Sequence, residues 1–339
     1  MNYRLDLSLR LSFAGKTDKG LVRAGNEDFY KIVEDNDLFV VCDGMGGHQA
    51  GEVASRDACE TIAYCFTELS EQILTNPTLT IEHTLPRQGD LLVRAIRIAN
   101  RSIYLRSRSN SELTGMGTTI VTATFENDLI QIAHVGDSRA YLMAGNALTR
   151  MTTDHSWVSE MQNAGQLTEE QATELVARNV ITRALGVNDR VEIDYRAHPV
   201  KAGEIYILCS DGLCGYADDE EIYAAAAGCR GDVEAIVDNL VELANDHGGQ
   251  DNVTVVAVKI EDVETAADHK PVEPLTIPKE SDEALLAEND IVNSILSLRQ
   301  QEEEAQPKKK AKTGRLTLTL IFLLFVIIAA IFIYFTSGR

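Results

Sequence analysis

Asp43 closes the apolar run Leu38-Phe39-Val40-Val41-Cys42 and opens the stretch Asp43-Gly44-Met45-Gly46-Gly47-His48. A carboxylate at the C-terminal tip of a buried strand, with glycines clearing the space beside it, suits a hard cation. Three further acidic points repeat the pattern: Asn26-Glu27-Asp28, Ser210-Asp211-Gly212 after Ile205-Tyr206-Ile207-Leu208-Cys209, and Asp251-Asn252 before Val253-Thr254-Val255-Val256. A single Asp-Gly is more often a turn than a ligand, but four acidic strand ends in one chain point to one carboxylate-rich metal centre. Oxygen donors of this kind select Mg²⁺ or Mn²⁺ and not zinc, which wants His or Cys. Two such ions about 3.5–4 Å apart can share a carboxylate and hold a hydroxide for attack on phosphorus, with no protein nucleophile. Asp43 is the candidate shared ligand, because Gly44 leaves its own carbonyl free to approach an ion. Arg23, three residues before Asn26, offers a planar guanidinium that can bind two phosphate oxygens, or else forms a surface salt bridge.

These tips need strands to carry them. Short runs of apolar and β-branched residues bounded by Gly, Asn or Asp predict strands at 4–13, 29–34, 37–42, 118–126, 129–135, 139–143, 191–197, 204–209 and 253–260. Helical periodicity is clearest at 51–69, 91–107, 156–163, 169–178, 218–227 and 232–246. Strands meet through tight turns such as Glu126-Asn127-Asp128 rather than alternating with helices, an order that favours antiparallel sheets covered by helices.

The net charge of −21 over 339 residues argues against nucleic acid, whose binding needs clustered Lys and Arg. Six cysteines never fall in a Cys-x-x-Cys pair and several lie inside apolar runs, as expected of a reduced interior without zinc or a disulfide framework. Residues 1–260 read as one domain. Residues 261–306 carry thirteen acidic and three basic side chains with three prolines, and 261–315 read as an acidic tether ending in a basic stretch, Lys308 to Arg315. Within it Leu285 to Leu298 could form a short amphipathic helix, a transient one in solvent or one that docks on a partner or the domain. Residues 316–335 are uncharged and apolar over twenty positions, about 30 Å as a helix, and predict a single transmembrane helix. The basic flank before it and the lone Arg339 after it would keep the catalytic domain in the cytoplasm.

The motifs resemble those of the metal-dependent Ser/Thr protein phosphatases called PPM or PP2C, in their bacterial form. The resemblance covers roughly residues 8–260 and rests on Gly20-Leu21-Val22-Arg23-Ala24-Gly25-Asn26-Glu27-Asp28, Val41 to His48, Gly115-Met116-Gly117-Thr118-Thr119, Val135-Gly136-Asp137-Ser138-Arg139, Ser210-Asp211-Gly212 and Gln250-Asp251-Asn252. It implies an α+β fold, an αββα sandwich of two antiparallel sheets flanked by helices. It further implies that Asp43 bridges two core metals, with Asp211 and Asp251 on the first ion and the Gly44 carbonyl on the second. Glu27 and Asp28 would contact through metal-bound water, Asp137 with Asp211 would hold a weaker third ion, and Arg23 would take the substrate phosphate.

The chain departs from eukaryotic relatives in having Met45 where they place the histidine presumed to be the general acid. His48 nearby could protonate the leaving alkoxide or hold its loop by a hydrogen bond. Residues 154–186 look like the flap that borders the bacterial site, without the usual His-Pro ahead of Arg178; His155 could touch the third ion's water shell or serve a turn. Thr118 and Thr119 read as strand packing. The reading is a membrane-tethered phosphatase acting on phosphoserine and phosphothreonine in proteins, with a bacterial Ser/Thr kinase and its targets as partners. The alternative is a catalytically weak phosphoprotein-binding adaptor on the same fold, against which the intact carboxylates at 43, 211 and 251 argue.

Overall fold

A computed structural model of the chain describes residues 9–46, 49–79, 81, 83–168, 180–264 and 271–305. In chain order its strands are β1 (Leu9–Asp18), β2 (Asp28–Val33), β3 (Leu38–Met45), β4 (Gly117–Thr118), β5 (Ile120–Glu126), β6 (Leu129–Val135), β7 (Arg139–Ala144), β8 (Ala147–Arg150), β9 (Ile193–Pro199), β10 (Ile205–Cys209), β11 (Val253–Val263) and β12 (Val272–Ile277). One sheet has the order β1-β11-β10-β7-β8 and the other β12-β9-β6-β5-β3-β2, with β4 beside the end of β3. Neighbours are antiparallel throughout.

The period of two along each strand explains how the sheets stack. In β10 Leu208 faces the space between the sheets with Phe39, Val41, Phe125 and Ile132 of the opposite sheet. Its neighbours Ile207 and Cys209 face the other way, onto Leu240, Ile236 and Ile222. Strand β11 does the same, with Val256 and Val258 inward and Val255 and Ala257 outward. A relay of edge-to-face rings, Phe13, Phe39, Phe125 and Tyr206, crosses the interior with centroids 5.4, 6.0 and 6.4 Å apart.

Helices cover the outer faces. The first is α1 (Gln49–Thr67), followed by α2 (Ser70–Thr75), α3 (Arg87–Ser109), α4 (Trp157–Asn163), α5 (Asp211–Cys214), α6 (Asp219–Ala227), α7 (Val233–Asp246) and α8 (Asp282–Ala305). Helices α1 and α3 pack on each other and on β3 and β5, while α7 packs on β1 and β11. Helix α6 starts at a capping box in which Asp218 accepts from Glu221 N and Glu221 reaches back to Asp218 N. The expected sandwich of two antiparallel sheets between helices is therefore what the described residues form.

Two expectations are corrected. Strand β1 continues to Asp18 rather than ending at 13, since its register is set by pairing with β11 from Leu9 opposite Val263 to Asp18 opposite Val253, while positions 4–8 of the expected strand lie outside the described residues. The tether proposed for 261–306 is largely structured, so the domain does not end at 260. Strand β11 continues to Val263, β12 pairs with β9, and Ala284, Leu285, Ile291, Val292 and Ile295 are buried. The chain divides into a unit Met1–Ile295 and a second unit, Leu296–Arg339, whose described residues continue α8 to Ala305. Among the described residues no helix is long and apolar enough to cross a membrane, and the predicted span 316–335 lies outside them.

Candidate metal centre

The acidic strand tips meet at one end of the sandwich. Asp28 opens β2 directly opposite Asp43 on β3. Asp43's main chain is pinned on both sides. Its N–H donates to Thr119 Oγ1 at 3.1 Å, and its carbonyl accepts from Thr119 N at 2.9 Å and Thr118 Oγ1 at 2.8 Å. Thr119 Oγ1 in turn lies 2.7 Å from Ser138 Oγ. The two threonines thus serve strand packing, as expected. Gly44 N donates to Glu27 O at 3.1 Å. A Cβ on Gly44 would stand 2.1 Å from the Gly51 carbonyl oxygen and 2.5 Å from that of Glu27, so this turn accepts only glycine.

The other carboxylates come from further along the chain. Asp211 begins α5 and Asp251 precedes β11; Asn252 ties the loops together, accepting from Glu27 N at 2.8 Å and donating to the Lys19 and Gly25 carbonyls, each at 2.9 Å. Asp211 is in hydrogen-bond contact with Asp43 and feels the charge of Asp251. Asp137, in the turn after β6, feels the charge of Asp211. Arg23 sits beside Asp251, NH2 to Oδ2 at 2.7 Å, and is half exposed. The structure therefore brings Arg23, Asp28, Asp43, Gly44, Asp137, Asp211 and Asp251 together, with the Glu27 carboxylate alongside Gly51. His48 lies outside the described residues.

Crowding so many acids has a cost that shows in their proton affinities. Burial first, and then the charges of Asp211 and Asp251, push Asp28 up to about 7 against the help of the Ser210 hydroxyl. Burial and the charges of Asp211 and Asp154 likewise raise Asp137 to about 7. Burial together with Asp28 and Asp211 raises Asp43 well above the usual carboxylate range, and burial raises Asp211. The Oδ1 atoms of Asp28 and Asp137 are buried without a hydrogen bond. Buried carboxylates are stable when paired with cations, and here five aspartates share Arg23 and, for Asp137 and Asp211, the charge of Arg139. Hard divalent cations are what this donor set fits.

A different cluster brings three donor atoms within 4.8 Å of one another, namely His134, His155 and Asp194. Its hydrogen bonds identify it as a brace. His155 Nδ1 accepts from Gly136 N at 3.1 Å, so its Nε2 carries the proton and points it at Asp194 Oδ2, 3.2 Å away. Asp194 Oδ1 also accepts from Arg183 at 3.1 Å and Thr276 at 2.8 Å. Burial holds His134, stacked on His155 at 4.7 Å and hydrogen-bonded to the Thr153 carbonyl at 2.8 Å, down to about 4. The reading of His155 as a turn residue is the one the geometry supports. The brace escaped sequence reasoning because its members lie on three separated segments.

The same brace holds the roots of the flap, where Trp157 N donates to Val180 O and Thr182 N to His155 O. Arg139 grips Asp154 bidentately, Nε to Oδ1 at 3.0 Å and NH2 to Oδ2 at 2.8 Å, and Arg150 pairs with the same carboxylate. The helix expected at 169–178 lies outside the described residues.

The sequence pattern of the protein phosphatase 2C family matches residues 23–254. The chain is 36% identical over 247 residues to the serine/threonine phosphatase stp of Listeria monocytogenes, covering 72% of this chain and 94% of that one. Its structure is similar to that of the Mycobacterium tuberculosis serine/threonine phosphatase PstP, with a TM-score of 0.65, 35% identity, and coverage of 74% of this chain and 99% of that one. It is also similar to a PstP catalytic domain in complex with two manganese ions, with a TM-score of 0.63, 34% identity and coverage of 74% and 99%. With the family pattern matched over residues 23–254, a sandwich of the same kind and a carboxylate centre that fits hard cations, the chain belongs to the protein phosphatase 2C family and is a metal-dependent protein serine/threonine phosphatase.

Proposed function

We propose that this centre holds two divalent cations, Mn²⁺ or Mg²⁺, in its core and a third more weakly, and that it hydrolyses phosphoserine and phosphothreonine there. Asp43, Asp211, Asp251 and the Gly44 carbonyl would hold the core ions, Glu27 and Asp28 would support them through water, and Asp137 with Asp211 would hold the weaker third. The observation that carries this reading is the pair of orphaned, buried oxygens on Asp28 and Asp137 inside a set of carboxylates short of positive charge. When bound, the cations supply Lewis acidity at the phosphoryl oxygens and make a water molecule nucleophilic near neutral pH.

The chain's own residues do the positioning. Arg23 binds two phosphate oxygens and turns the ester toward the centre. Thr118 and Thr119 fix the main chain of Asp43, and Ser210 Oγ donates to Asp28 Oδ2 at 2.7 Å, so that Oδ1 is the oxygen left for a further partner. In manganese, Asp43→Ala and Asp211→Ala should lose turnover of a phosphothreonine peptide and bind fewer ions by calorimetry, with Asp137→Ala milder under saturating metal. Undiminished turnover in excess chelator would refute the reading. His48 serves as general acid in this scheme, and an unaltered dependence on leaving-group pKa in His48→Ala removes it from that role.

Residues 316–335 anchor the domain in a membrane with the catalytic part on the cytoplasmic side, and the substrates are phosphoproteins made by a bacterial Ser/Thr kinase. The support is the twenty-residue apolar run and its basic N-terminal flank. Carbonate extraction and protease protection of the full chain in membranes test the anchor.

A further inference from the structure

Next to Arg23 the protein exposes side chains that usually retreat from water. Leu21 is 69% exposed, Val22 61% and Tyr216 37%. Singly exposed apolar residues are ordinary and mean little. Two of these three are chain neighbours of Arg23, and the third feels its charge. Leu21 and Val22 precede Arg23 in the loop between β1 and β2, while Tyr216 follows α5 and lies within the electrostatic reach of Asp251, Asp211 and Arg23.

The loop is also built to hold them out. Leu21 N and Val22 N both donate to Gly249 O, at 2.8 and 3.1 Å. Gly20 sits at φ +74, where an added Cβ would be 2.2 Å from the Asp251 carbonyl oxygen, so the close approach of the two loops requires glycine. The Asn252 side chain ties down the carbonyls on either side, Lys19 and Gly25. Two aliphatic side chains are thus presented in a fixed place at the edge of the phosphate site rather than waving from a free turn.

We propose that Leu21, Val22 and Tyr216 form an apolar lip that receives the side chains flanking the phosphorylated residue of a protein substrate, favouring apolar neighbours over acidic ones. This rests on Arg23 taking the substrate phosphate. A phosphoryl group on Arg23 brings the positions beside it in the peptide against this lip, because successive residues of an extended chain are only about 3.3 Å apart. Acidic neighbours would approach a chain of net charge −21, whereas apolar ones gain cover from water.

The test uses the full-length protein in manganese with three phosphothreonine peptides of one length, flanked by Leu and Val, by Gly, or by Asp. The wild type should turn over the apolar-flanked peptide about tenfold better than the glycine-flanked one in kcat/KM, with the difference in KM, a gap worth ~1.4 kcal/mol. The aspartate-flanked peptide should be the poorest of the three. In Leu21→Ser/Val22→Ser and in Tyr216→Ser the preference should shrink to about twofold or less, while Tyr216→Phe keeps it. Equal turnover of apolar- and glycine-flanked peptides by the wild type, or a preference undiminished in the serine variants, overturns the lip alone. A wild type that hydrolyses no peptide overturns the phosphatase reading of the cleft and the lip with it.

Discussion

Glu288→Gln should flatten the pH dependence of stability. Glu288 on α8 is 2% exposed, and Glu280 just before the helix is 3% exposed. Both carboxylates share the neighbourhood of Arg97 on α3, whose NH2 donates to the Pro278 carbonyl at 2.7 Å and whose Nε lies 3.7 Å from Glu280 Oε2. Both oxygens of Glu280 and Oε2 of Glu288 are buried without a hydrogen bond. Burial, and then the charge of Glu280, push Glu288 from its ordinary 4.5 to about 8, with Arg97, Arg101 and Arg190 pulling the other way. The folded chain therefore keeps a proton that the unfolded chain releases near 4.5. That contribution is full below about pH 4.5, fades as pH rises, and is gone above about 8. At about 1.4 kcal/mol per tenfold change in proton affinity, the loss between roughly pH 5 and 9 comes to about 4 kcal/mol. It is smaller if α8 detaches before the sandwich unfolds. Glutamine keeps the shape and cannot ionise, so the stability of the variant relative to wild type should climb by up to that amount over the same range. Urea unfolding followed by circular dichroism, with chelator present throughout, measures it. Wild-type and variant stabilities that run parallel across the range would show that Glu288 is not a buried acid and that α8 is not docked as described.

Other outcomes follow from single contacts. Arg23→Ala should lower kcat/KM for a phosphothreonine peptide about 10- to 100-fold, and Arg23→Lys should restore little because the two-pronged grip is lost; steady-state kinetics in saturating manganese reads both. Gly44→Ala forces a Cβ against the Gly51 and Glu27 carbonyls and should cost about 2–3 kcal/mol in urea unfolding as well as weakening metal binding in calorimetry. Asp194→Asn leaves the Arg183 guanidinium with only the longer pair to Glu192, at 3.8 Å, and loosens the flap roots from β9 and β12. Thermal unfolding should register a loss of about 1–3 kcal/mol, and proteolysis within residues 154–186 should quicken.

Much of the site was legible because its carboxylates lie at the ends of apolar runs, and an unbroken apolar run that stops at Asp43 or just before Asp211, or starts just after Asp251, marks both the strand and its tip. Asp43, Asp211 and Asp251 were readable in this way. The predicted strand at 118–126 breaks at Thr119, whose backbone turns to bond the Asp43 carbonyl and so links β4 and β5 to the site. The tether was misread because Glu280 and Glu288 count as solvated charge in any composition. What buries them is Arg97, far away on α3, together with Arg101 donating to Asn289 Oδ1 at 2.9 Å and Arg190 pairing with Asp282. Strand β12 carries Pro274 and alternates weakly, and it is a strand because the edge of β9 accepts it.

By itself the sequence determined where apolar runs meet acids and that the site is rich in carboxylate oxygens, since residue type and short-range spacing suffice for these. Only the tertiary structure decided that the strand tips face one another, that His134, His155 and Asp194 brace the flap rather than bind a metal, and that acids 280 and 288 lie in the interior. Proton affinity, hydrogen-bond pairing and burial depend on neighbours across the fold, and local sequence carries no record of which distant side chain comes to lie alongside.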